Sequence, residues 1–187
     1  MSKKVNILDK SVAYLAGPID MSEDYGVSYR QEIIEETKKR GIGIKFLDPT
    51  HKLEALTPDV GEEQEAIRTL KKNRSWTKLR RLMRKIVRSD LRQVDISDFL
   101  IVMVDTSIHM CGTYHELILA DQQKKPVLVI VKGGKTKASS WLFGIIDPKF
   151  MFDNVVDCID YLDEVNRGKV ELNHRWVLFR QELLRDE

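Results

Sequence analysis

The sequence predicts an α/β fold, an open parallel sheet with helices on both faces. Two runs carry most of that expectation: "FLIVMV" (99–104) and "PVLVIV" (126–131) are strand-sized, apolar throughout and separated by a helix-sized segment. A strand with one wet face alternates apolar with polar residues, whereas an uninterrupted apolar strand is covered on both sides, as in sheets built from strand–helix–strand crossovers. The third observation is "VAYLAG" (12–17), a short apolar run stopped by Gly-Pro and followed by an amphipathic segment. At 187 residues, with 42% apolar and 32% charged side chains, the chain is long enough for one sizeable core, so one domain is expected.

Taken in order, the first strand is 12–17. A helix over 27–40 follows, with Val27, Ile33 and Ile34 among charges and a basic last turn before Gly41. A second strand, "IGIKFL" (42–47), ends at Asp48-Pro49. The segment from Thr50 to about Glu65 has few apolar residues and mixed charge, and reads as a loop or lid. From Ala66 to Val94 a single helix is expected, because Leu79, Leu82, Met83, Ile86 and Val87 recur at the spacing of one helix face. The two apolar strands come next, with a helix between them. A further helix is expected over 154–165, and "VELNHRWVLFRQELL" (170–184) fits either strand or helix.

Several function classes fall away on composition. The longest apolar runs are far shorter than a bilayer crossing, and "MSKKVNILDK" lacks the apolar core of a secretory signal, so a soluble cytoplasmic protein without a membrane partner is expected. Cys111 and Cys158 are too few for a disulfide scaffold and wrongly spaced for zinc, and four scattered histidines form no ligand cluster, so no metal is expected. Between Lys71 and Arg88 there are nine basic residues and no acid. A solvated helix face accounts for them, while a surface for phosphates is the sharper alternative; with only Trp76 as an interleaved aromatic, nucleic acid is not the expected partner.

In open α/β sheets, ligands sit outside the carboxyl ends of the strands. The loops there are "AGPID", "DPT", "DTSIHMCGT" and "KGGKTKASS". The last resembles a phosphate-binding loop, but Val129 stands where the motif needs its first glycine. Asp98 and Asp105 can simply mark strand ends. Asp90 is placed against preference, since an acid near a helix C-terminus opposes the macrodipole. Thr113-Tyr-His-Glu116 has capping-box spacing, with the glutamate folded back on its own helix. The same Glu116, in the first turn of a helix after the third strand, would be kept ionised by the helix N-terminus, as a nucleophile requires. Cap and reagent both stand on this segment alone.

In series, "YLAGPID", "RSDLRQVDISDFLIVMVD" and "CGTYHELILADQQKKPVLVI" resemble the nucleoside 2-deoxyribosyltransferase family and its relatives, the deoxynucleoside 5′-monophosphate N-hydrolases. The similarity runs from about Tyr14 to Val131, with 51–78 matching poorly. It implies a flavodoxin-like (Rossmann-like) sheet in one domain over 1–187, with a variable insertion around 50–78 and a C-terminal extension over 153–187. It also implies cofactor-free cleavage or transfer at the N-glycosidic bond of a (deoxy)nucleoside or nucleotide. Glu116 would be the nucleophile at C1′, Tyr14 would orient it, and Asp90 would handle the proton on the departing base. Gly17, Pro18, Ile19 and Asp20, with Gly112 and Thr113, would line the sugar and its 5′ side, and Asp105 belongs to the same set. Met110 stands where relatives carry an acid or a serine for the 5′ group. That group must then be read by Ser107, His109, Arg30 or an arginine of the basic helix. Relatives often complete the site from a neighbouring subunit, so a homo-oligomer is expected, with the C-terminal segment as contributor. Two alternatives remain: a nucleotide N-hydrolase on this scaffold, and a nucleotide-binding module without turnover.

Overall fold

The computed structural model describes residues 6–51, 60–171 and 175–176. Five strands, β1 (Val12–Ala16), β2 (Lys45–Leu47), β3 (Phe99–Val104), β4 (Val127–Val131) and β5 (Met151–Phe152), form one parallel sheet in the order β2-β1-β3-β4-β5. This is the flavodoxin-like strand order. β3 and β4 are buried at every position, as their unbroken apolar runs require. β5 has only two residues, too short for a sequence pattern to reveal.

Five helices are described: α1 (Val27–Lys39), α2 (Val60–Lys72), α3 (Trp76–Ile96), α4 (Cys111–Gln122) and α5 (Val155–Asn166). From β1 the chain steps outward through α1 to β2, and from β3 it steps the other way through α4 to β4. Right-handed crossovers therefore put α1 and α4 on opposite faces. α1 packs with α5 on one face, and α3 packs with α4 on the other. The strand order reverses between β1 and β3, which opens a crevice at their carboxyl ends.

Two expectations are corrected. The single helix over 66–94 is two helices, broken at 73–75 where Arg74 adopts the left-handed region (φ 52°). The loop assigned to 50–65 already turns helical at Val60, where Glu62 and Glu63 suit a helix N-terminus and Lys71 and Lys72 its C-terminus; 52–59 lie outside the described residues. So does most of "VELNHRWVLFRQELL", apart from 170–171 and Arg175-Trp176. Among the described residues, no helix is long and apolar enough to cross a membrane.

The segment joining β1 to α1 packs tightly at Gly26. Gly26, at φ 72°, caps α1, and a Cβ there would overlap the Pro18 carbonyl oxygen and Arg30 Nη1. Gly26→Ala is expected to destabilise the protein by about 2 kcal/mol or more, through strain and a clash that backbone cannot evade; urea denaturation measures it.

Candidate active site

Tyr14 is the central residue of β1, and its register partner on β3 is Leu100, so both point to the face covered by α3 and α4. There the fully buried Tyr14 donates its hydroxyl to Glu116 Oε1 at 2.8 Å. α4 begins at Cys111, three residues earlier than a Thr113 cap requires, and Met110 precedes it without a side-chain cap. Thr113 is therefore inside the helix and buried, and no capping box forms. Glu116 lies in the second turn and faces β1.

Its ionisation departs from expectation. The helix N-terminus does not keep Glu116 ionised; burial, the largest influence, pushes its pKa up to about 8. The Tyr14 hydrogen bond and the positive charge of Arg30 pull it down, and the negative charge of Asp90 pushes it up. Asp90 thus acts on this carboxylate from α3. Tyr14 itself is held well above the ordinary tyrosine range, by burial and then by the charges of Glu116 and Asp90. Tyr14, Asp90 and Glu116, three residues separated widely in sequence, share one electrostatic environment at the sheet's switch point. Tyr14→Phe removes the hydroxyl that donates to Glu116. It is expected to lower catalytic efficiency about 10- to 100-fold and to move the Glu116 midpoint further upward, both read from a pH–rate profile.

The remaining predicted residues divide. Gly17 sits at the end of β1 with its carbonyl accepting from Arg30 Nη2 at 3.2 Å. Ile19 is half-buried, and Asp20 is exposed and paired with Lys71 at 3.1 Å, tying the Gly-Pro turn to the last turn of α2. Gly112 is exposed, with open space where a side chain would project. Met110 is buried, its Sδ accepting the Asp105 N–H at 3.2 Å, so its side chain is turned into the fold.

Pro18 and Asp105 line a cavity of about 360 Å³ with Tyr29, Met103, Lys132 and Val155, on the α1 and α5 side of the sheet. Tyr14, Asp90 and Glu116 do not line it. Asp105 Oδ1 accepts from the Ser107 hydroxyl at 2.6 Å, and Oδ2 from Lys132 at 2.8 Å. These bonds hold its carboxyl below the usual range in spite of burial, which acts in the opposite direction and is the largest single influence. Lys132, the first residue of the basic loop after β4, therefore has a fixed carboxylate partner, which the glycines and lysines around it give no sign of.

Arg30 corrects the expectation most sharply. It is fully buried, and its nitrogens are taken up by the carbonyls of Leu15, Gly17, Tyr25 and Gly26, so it is not a side chain reaching for a 5′ group. By contrast, Lys78, Arg80, Arg81, Arg84, Lys85 and Arg88 of α3 are all exposed. Among the described residues no group of three or more His, Cys, Asp or Glu side chains is arranged to hold a metal ion.

No family model and no curated protein matches the sequence. Among solved structures, the chain is similar to a 2-deoxyribosyltransferase from the psychrotolerant bacterium Bacillus psychrosaccharolyticus, at 15% identity over 81% of this chain and 92% of that one, with a TM-score of 0.49. It is also similar to a conserved protein from Enterococcus faecalis V583, at 15% identity over 86% of this chain and 99% of that one, with a TM-score of 0.46.

Proposed function

We propose that the protein makes and breaks N-glycosidic bonds of (deoxy)nucleosides or nucleotides, with Glu116 as nucleophile. The observation that carries this reading is the 2.8 Å hydrogen bond from Tyr14 to Glu116, made at the switch point and within the field of Asp90. A solvated helix-capping glutamate would have neither the partner nor the raised pKa.

In the first step an ionised Glu116 oxygen bonds to C1′ as the C1′–N bond breaks, and its electron pair leaves with the base. Asp90 supplies the proton that the departing base requires. The Tyr14 hydroxyl keeps the attacking carboxylate aimed. In the second step a new base, or water, attacks C1′ as the C1′–Oε bond breaks and releases Glu116, and Asp90 takes back the acceptor's proton, so configuration is retained over two inversions. A base as acceptor makes the protein a transferase and water makes it a hydrolase. The arrangement asks for two carboxylates and a phenol, and for no cofactor.

The nucleotide reading draws support from α4. Its first turn carries no acid, its N-terminus lacks a side-chain cap, Gly112 leaves open space above it, and Met110 is turned away. Uncapped N–H groups at a helix N-terminus suit a 5′-phosphate better than a 5′-hydroxyl. A homo-oligomer in which a neighbour's C-terminal segment completes the site remains part of the proposal; 177–187 lie outside the described residues.

The test is incubation with deoxynucleosides and deoxynucleoside monophosphates, with and without a second free base, followed by chromatography. Base exchange identifies transfer and free sugar identifies hydrolysis. Neither product from any common substrate would leave only a binding module.

A further inference from the structure

Arg30 is a charged side chain with no access to solvent. Burying a guanidinium costs several kcal/mol unless its donors and charge are compensated. Its donors are well satisfied. Nε–H donates to Leu15 O at 3.3 Å, Nη1 to Gly26 O at 2.8 Å and Tyr25 O at 3.4 Å, and Nη2 to Gly17 O at 3.2 Å. The guanidinium carbon also stands 4.6 Å from the Tyr29 ring centre. Its charge is compensated less completely. One carboxylate, Asp48 at the end of β2, approaches Nε at 3.5 Å. That carboxylate also accepts from the Thr50 N–H and hydroxyl and faces His51 Nδ1.

A single fork thus gathers the end of β1, the far end of the loop that follows it and the end of β2. We propose that Arg30 is a positioning residue of the active site: its fork locks the Gly17 turn in place at the end of the strand that carries Tyr14, and its fixed positive charge acts on the Glu116 carboxylate. Its functional consequence rests on Glu116 being the nucleophile; the charge effect does not. The groups acting on Glu116 are Tyr14 from β1, Asp90 from α3 and Arg30 from α1, and of these Arg30 is the cation. Burial and Asp90 both favour a neutral Glu116, so Arg30 and the Tyr14 bond are what oppose them. A lysine keeps the charge but cannot reach four carbonyls from one planar fork. An apolar chain keeps neither.

The experiment follows the Glu116 carboxyl by carbon-13 NMR in glutamate-labelled protein, assigned with Glu116→Gln, alongside kcat/KM against pH. In Arg30→Met the Glu116 midpoint is expected to rise, with the ascending limb of the profile moving in the same direction. In Arg30→Lys the midpoint is expected to stay within about half a pH unit of the wild type, while kcat/KM falls about tenfold because the turn is no longer held. An unmoved midpoint in a folded Arg30→Met, even with a lowered Tm, overturns the proposal and leaves Arg30 a structural residue. Should Arg30→Met not fold, Arg30→Lys decides: wild-type kcat/KM in that variant overturns the positioning role. A wild-type protein without turnover would remove the nucleophile reading, yet the NMR midpoints would still show whether Arg30 sets the charge state of Glu116.

Discussion

Glu116→Gln is expected to lower kcat on nucleoside or nucleotide substrates by on the order of 10³-fold or more, while substrate binding changes by less than about tenfold. The carboxamide has nearly the same shape and can still accept the Tyr14 hydroxyl, so the local packing is preserved. What it lacks is the anionic oxygen that the proposed mechanism bonds to C1′, and Tyr14 does not replace it, being held neutral by its buried setting. Mass spectrometry of rapidly quenched wild-type enzyme is expected to find the sugar on the peptide containing Glu116. Retained turnover in Glu116→Gln, or an adduct on another peptide, would mean that the nucleophile lies elsewhere. Equal loss of binding and turnover would instead favour the module that binds without reacting.

The parts of this site that are legible in sequence are those governed by local pattern. β3 and β4 declare themselves by apolar residues on both faces, and α1 by its spacing and the glycine after it. The break between α2 and α3 is not legible, because "KKNRSWTK" contains neither proline nor glycine and the left-handed turn falls on Arg74. "TYHE" has the spacing of a capping box, yet a helix start three residues earlier moves Thr113 inward and leaves Glu116 facing β1. One register shift thus separates cap from reagent. Arg30 misleads for a different reason: its acceptors come from residues 15–26 and Asp48, and only the folded chain brings those ends together. Local pattern identifies a helix and its faces; it does not say which charge the fold will enclose.

The pH dependence of stability gives the second large effect, and its sign follows from Glu116. Its pKa is about 8 in the folded protein, against an ordinary 4.5 that describes the unfolded chain. Below about pH 4.5 the group is protonated in both states and has no effect on the balance. Between about 4.5 and 8 the unfolded chain releases the proton and the folded protein keeps it, so stability falls as pH rises. Above about 8 both are ionised and the full penalty applies. At about 1.4 kcal/mol for each pH unit separating the two midpoints, and with allowance for the partial exposure of the side chain, the loss is on the order of a few kcal/mol. Glu116→Gln carries no charge and escapes it. The variant is therefore expected to match the wild type in Tm near pH 4.5 and to exceed it by several degrees at pH 8.5. The same titration governs the nucleophile, so the free enzyme's kcat/KM is expected to climb through about pH 8. The two measurements cross-check each other: activity gained and stability lost over one pH window identify a single group, whereas parallel Tm curves for both proteins would show that Glu116 titrates normally and that the activity limb belongs to another residue. On the proposed mechanism, a carboxylate kept in a setting that penalises its charge, and that reacts only when charged, is stability exchanged for reactivity at one position.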